Sequence, residues 1–236
     1  MLFRQLFDPE SSTYSYLIGD KSSGEALLID SVLERTEQTL QLIKQLNLNL
    51  TLAIDTHTHA DHITGLGALR DVTGCKTMMG SESLANCLSD TFIDGQRLRV
   101  GNLFIEVIYT PGHTEDSYSF YLPESKSDNH QPMLFSGDTL LIRGTGRTDF
   151  QNGSAEDQYN SLFNRLLKLP DNTLVYPAHD YKGWMVSSIS EEKRHNPRLQ
   201  VTSREEYIAL MNSLDLPNPK MMDIAVPANQ SCGDIV

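Results

Sequence analysis

The chain has 236 residues, enough to bury a sizeable core in one large domain or two small ones. Lys and Arg number 19 against 31 Asp and Glu, a formal net charge of −12, so a nucleic-acid partner would meet repulsion and that class is set aside. No stretch approaches the roughly 18 apolar residues that span a bilayer, and the opening MLFRQLFDPESS has neither a secretory apolar core nor a transit pattern, so a cytoplasmic protein without a membrane role is expected.

The first thirty residues read as short strands, STYSYLI and then EALLID, the second ending at Asp30. A helix is predicted over about 34–47, with Leu40, Ile43 and Leu46 on one stripe. LTLAID (50–55) reads as a buried strand that delivers THTHADH onto the loop at its end. Beyond it Ile63, Leu66, Leu69 and Val72 recur at helical spacing, which puts His62 at a strand-to-helix turn, where α/β proteins place their sites.

RLRV, LFIEVIYT and SYSFYL are three further strands, with Pro111-Gly112-His113 interrupting before the last. PESKSDNHQP is an exposed hairpin or loop, and MLFSGD a strand ending at Asp138. Ser154 with Asp157 resembles a capping box, opening a helix that carries Tyr159, Leu162, Phe163, Leu166 and Leu167. TLVYPAHD is a strand with His179 just past its end, Ser203 with Glu206 caps a helix over about 203–214, and a proline-rich tail closes the chain. With no repeat and no linker, one domain over 1–236 is expected. Cys75, Cys87 and Cys232 are odd in number and lack zinc-ribbon spacing, so reduced thiols are expected rather than a disulfide framework.

Chemistry concentrates at the strand ends. His57, His59, Asp61 and His62 follow one strand, Asp138 a second and His179 a third, while His113 adds a fourth loop. Imidazoles and carboxylates gathered this way are metal ligands, and such a set suits one ion or two. His130 and His195 lie in polar stretches and are expected to be solvated.

The spacing His57, His59, Asp61, His62, followed in order by His113, Asp138 and His179, resembles the H-x-H-x-D-H signature of the metallo-β-lactamase superfamily. The resemblance implies an α/β fold, an αββα sandwich of two mixed sheets flanked by helices. GRTDFQNG (146–153), YPAHDYKG (176–183), NPRL (196–199) and VPANQSCG (226–233) are similar to the persulfide dioxygenase branch. Carried over from that branch, His57, His113 and Asp138 hold one iron(II) per chain. His59, Asp61, His62 and His179 stand around the ligands or would hold a second metal.

A two-histidine, one-carboxylate face leaves open positions where a persulfide and dioxygen can meet. The implied reaction is oxidation of glutathione persulfide with O2 and water to sulfite and glutathione, in a homodimer. The anionic glutathione moiety calls for local cations, for which Arg147 and Arg198 are the candidates, with internal ion pairing as their other use. Tyr181 and Cys232 are further substrate-side candidates. The rival is a dinuclear hydrolase of glutathione thioesters resembling glyoxalase II.

Overall fold

In a computed structural model of the chain, the described residues are 1–125, 130–217 and 221–234. The polypeptide divides into two compact units, one made of 1–92, 97–105 and the C-terminal segment from 218, the other of 93–96 and 106–217.

The first unit is built on a mixed sheet of β1 (Leu2–Asp8), β2 (Thr13–Gly19), β3 (Glu25–Ile29), β4 (Asn49–Ile54), β5 (Lys76–Gly80) and β6 (Asp90–Phe92), which lie side by side in that order. β1, β2 and β3 pair antiparallel, whereas β3 through β6 run parallel. Parallel strands are covered on both faces, and β3 and β4 are accordingly almost continuous in apolar residues. α1 (Thr36–Gln45), preceded by a 3-10 turn at Leu33–Arg35, and α2 (Leu66–Thr73) supply the crossovers.

Leu17, Leu28, Ile43, Leu50, Leu66, Leu69, Met79 and Cys232 share the core of this unit. Ile43 is buried as the stripe requires, but Val72 is 68% exposed, because α2 turns its Leu66–Leu69 side inward. Ile63 is buried ahead of the helix rather than on it. β7 (Arg97–Val100) and α6 (Met222–Gln230) complete the unit. The closing tail is therefore partly helical despite Pro227, since Ala225, Ala228 and Asn229 find a buried surface.

In the second unit β8 (Leu103–Tyr109), whose later residues lie there, pairs antiparallel with β9 (Tyr118–Leu122), and β9 with β10 (Met133–Gly137). β10 runs parallel to β11 (Leu174–Pro177), which pairs with the two-residue β12 (Ser187–Ser188). Ser125 and His130 exchange backbone hydrogen bonds; the rest of the polar hairpin or loop, residues 126–129, lies outside the described residues.

Ser154 accepts from the Asp157 amide at 3.1 Å and opens α3 (Ala155–Asn160), but the helix then widens at Ser161–Arg165 and tightens to a 3-10 turn at Leu166–Lys168. Leu162 and Leu166 stay buried through the change, with Leu134, Val175, Ile189, Leu199, Tyr207 and Met211. α4 (Ile189–His195) and α5 (Arg204–Asn212) follow, the latter capped by Ser203, whose hydroxyl accepts from the Glu206 amide. Among the described residues no helix is long and apolar enough to cross a membrane.

Candidate metal centre

Each chemistry-bearing residue sits just past the C-terminal end of a strand. Asp30 follows β3, His57 β4, His113 β8, Asp138 β10 and His179 β11. Backbone polar groups at such an end have left the sheet ladder, so side chains and turns must satisfy them.

In the first unit the loop is organised from Asp30, a buried residue held in the left-handed region at φ 52°. Its carboxylate accepts from the Thr56 amide at 2.7 Å and from the Thr56 hydroxyl at 3.1 Å. With its proton committed to Asp30, the Thr56 oxygen is left to accept from His57 Nδ1, 2.9 Å away. His57 is thereby fixed with Nδ1 protonated and the lone pair on Nε2. The hydrogens are inferred from this network, in which a carboxylate can only accept.

His59 turns to the same carboxylate, its Nε2 lying 3.2 Å from Asp30 Oδ1. Burial works against a charge on that ring, yet the Asp30 hydrogen bond and the charges of Asp30, Asp61 and Asp55 prevail and push it up to about 9. Burial pushes the Asp55 carboxyl up to about 6, with the His59 charge opposing and the Asp30 charge adding. Asp30, Asp55 and His59 thus form a buried acid–base cluster beneath the loop. His62 donates Nδ1–H to Asp61 at 2.9 Å, and Thr13 donates to the same Asp61 oxygen at 3.1 Å. The rings of His57, His59 and His62 lie in sequence with centroids 4.2 and 4.4 Å apart.

In the second unit His113 Nδ1 lies 2.8 Å from the Arg147 carbonyl. A carbonyl can only accept, so Nδ1 carries the proton and Nε2 the lone pair. That Nε2 is 3.6 Å from Asp138 Oδ2. The two atoms are both acceptors, and the separation exceeds a hydrogen bond. A lone pair aimed at a carboxylate oxygen across such a gap is a place for a cation, which is the chemistry of a metal ligand pair. The other Asp138 oxygen accepts from His179 Nδ1 at 2.7 Å. Gly146 makes the approach feasible, since a Cβ there would stand 2.4 Å from the Asp138 carbonyl oxygen and 2.7 Å from His113 Nδ1.

The residues anticipated for substrate fare differently. Tyr181 is 72% exposed, its ring parallel to that of His179 at 6.1 Å. Arg198 is half-buried, and its NH1 donates to the carbonyl and hydroxyl of Thr145. Arg147 uses four of its five donors internally, on both Asp149 oxygens and on the carbonyls of Leu216 and Pro217. Cys232 is no thiol. It is joined to Cys87, and Cys75 alone is free among the cysteines, which corrects the reduced set expected from their number and spacing. Two cysteines 145 positions apart meet only because α6 folds back onto the first unit, a tertiary event that spacing does not report.

Three organising residues carried no sequence signal of their own. Thr56 is one letter before the motif, Asp30 only a strand's last polar residue, and Asn229 one amide in the tail. Asn229 is buried, donates to the carbonyls of His59 and His62 at 2.9 Å each and accepts from the Thr64 amide at 2.8 Å.

The sequence profile of the Metallo-beta-lactamase superfamily matches residues 8–179. Persulfide dioxygenase ETHE1, mitochondrial, of Mus musculus is 48% identical over 99% of this chain and 89% of its own length. The Homo sapiens protein of the same name is 47% identical over the same shares. The crystal structure of ETHE1 from Myxococcus xanthus covers 99% of this chain and 100% of its own, with 53% identity and a TM-score of 0.93. Two mixed sheets flanked by helices, a metal-binding group of His and Asp side chains, and likeness along nearly the whole length belong together: the chain is a member of the persulfide dioxygenase family, within the metallo-β-lactamase superfamily.

Proposed function

We propose that this protein is a persulfide dioxygenase that holds one iron(II) through His57, His113 and Asp138 and oxidises glutathione persulfide with O2 and water to sulfite and glutathione. The observation that carries the reading is the orientation of the donors. Thr56 leaves the His57 lone pair on Nε2, the Arg147 carbonyl does the same for His113, and Asp138 Oδ2 faces the His113 nitrogen without a proton between them. Two neutral imidazoles and one carboxylate are the donor set that suits ferrous iron with open positions.

A single ion is favoured over two by what the remaining groups do. His179 donates its proton to the Asp138 oxygen that a bridging carboxylate would offer a second metal. A ferrous ion bound here would supply coordination sites and the redox capacity for sulfur and dioxygen to react. The chain's own residues hold and orient. Asp30 and the Arg147 carbonyl fix the ring tautomers, and His179 fixes the carboxylate rotamer. Arg198 anchors a carboxylate of the peptide, and Tyr181, whose ring lies parallel to that of His179, donates a hydrogen bond to the substrate or to an iron ligand. Both units are read as parts of one domain, since one family profile runs through both, and the protein as a homodimer, checked by its mass in solution.

The test is metal analysis of purified protein with an oxygen electrode and glutathione persulfide. One iron per chain and oxygen uptake matched by sulfite are the expected results. Two zinc ions per chain, with hydrolysis of S-lactoylglutathione in the absence of oxygen, would replace this reading with the glyoxalase-II-like hydrolase.

A further inference from the structure

The mechanism above makes no use of the Cys87–Cys232 bond, yet among the described residues that disulfide ties the C-terminal segment to the loop between β5 and β6 across 145 positions of sequence. Cys232 is buried in the core beside Leu66 and Leu69, while Cys87 is half-buried on the loop between β5 and β6. The segment lies directly on the H-x-H-x-D-H loop and its continuation. Asn229 holds the carbonyls of His59 and His62 and the amide of Thr64, and the Cys232 carbonyl accepts from the Gly67 amide at 2.9 Å. The approach is so close that a Cβ on Gly67 would stand 2.7 Å from the Cys232 oxygen. The other side of the strap is tied to the Cys87 loop, where the Asn86 amide donates to the Gln230 carbonyl at 3.1 Å.

We propose that Cys87–Cys232 is a thiol-responsive latch, a modification site for low-molecular-weight thiols, whose opening loosens the Asn229 strap and with it the H-x-H-x-D-H loop. A thiolate reaches the Cys87 sulfur, the more accessible of the two, forms a mixed disulfide there and expels the Cys232 thiolate, which takes up a proton. A second thiol attacks the mixed disulfide and leaves Cys87 as a thiol. In sum the protein disulfide gains two electrons and two protons, and two thiols become one small disulfide. Glutathione, the product under the function proposed above, is a thiol of this class. The choice of glutathione as the thiol rests on that reading, but the latch itself does not.

The test follows backbone hydrogen exchange at Thr64 and Gly67, the amides that donate to Asn229 and Cys232, in metal-free and metal-loaded protein. Protein in oxidised glutathione buffer is compared with protein in excess reduced glutathione and with Cys87→Ser. We expect two fewer titratable thiols in the oxidised form, glutathione trapped on Cys87, and exchange at both amides faster by about tenfold or more once the bond is open, returning when it re-forms. Unchanged exchange at Thr64 and Gly67 on reduction overturns the proposal, as does glutathione trapped on Cys232 instead. Because the comparison uses one wild-type protein in two redox states, it stands even if Cys87→Ser does not fold. A protein that shows the latch but binds no iron leaves the latch intact and removes the dioxygenase reading alone.

Discussion

The Thr56 hydroxyl gives its proton to Asp30 and its oxygen to His57 Nδ1, so one small side chain determines which nitrogen of the neighbouring imidazole carries a lone pair. Thr56→Val keeps the shape and removes the relay. Losing a partner of this kind costs a metal site roughly 10- to 100-fold in affinity. Competition with a chelator should show that loss in Thr56→Val and its recovery in Thr56→Ser. Equal affinity in all three proteins would mean that the ring is positioned by packing instead.

Arg198 is the cation proposed to hold the glutathione moiety. A hydrogen bond to a charged group contributes about 1.5–3 kcal/mol, so Arg198→Ala should raise KM by at least about tenfold while the metal content stays that of the wild type. Steady-state kinetics alongside metal analysis separates this from a folding defect. A fall in kcat with KM unchanged would assign Arg198 to the Thr145 loop that it also holds.

In the second unit Glu192 is fully buried and receives the Arg143 amide and guanidinium, the Ser187 hydroxyl and the Asn196 side chain. Removing one partner of a buried ion pair strands the others, at a cost of about 3–5 kcal/mol. Urea unfolding of Glu192→Ala should reveal a loss in that range. Destabilisation below about 1 kcal/mol would show that water replaces the carboxylate.

Asp20 offers a pH test away from the metal. Burial pushes its carboxyl up, but donors from Ser22 and Asn102 outweigh that and hold it well below the ordinary value of 3.8. A depressed folded value means that the stabilisation is complete above 3.8 and is lost progressively as the pH falls below it. Asp20→Asn should therefore lower stability at neutral pH and flatten the acid limb of the unfolding curve. An acid limb parallel to that of the wild type would show that other carboxylates govern it.

The strands nearest the metal were legible because they are apolar runs with a histidine or aspartate directly after them, as LTLAID and MLFSG demonstrate. β5 (KTMMG), β6 (DTF) and α4 (ISEEKRH) gave no such pattern. β5 opens on Lys76 and Thr77 and has no histidine or aspartate directly after it, β6 is only three residues long, and α4 is polar or charged apart from Ile189, its buried Glu192 marked by no apolar pattern. α6 was hidden by Pro227, whose local cost is outweighed by the burial of its neighbours. At the site, ligand types could be read from letters. The Asp30–Thr56–His57 relay, the Asn229 strap and the cysteine pairing required knowing which distant segments meet.

His113 takes its tautomer from a peptide carbonyl, whereas His57 takes its own from a side chain. A carbonyl is present whatever residue is encoded, so substitution at 147 leaves that acceptor in place as long as the loop keeps its course, while most replacements at 56 delete theirs. The two histidines thus differ in genetic robustness. A saturation library scored for metal loading should tolerate a broad alphabet at 147 and little beyond Ser and Thr at 56.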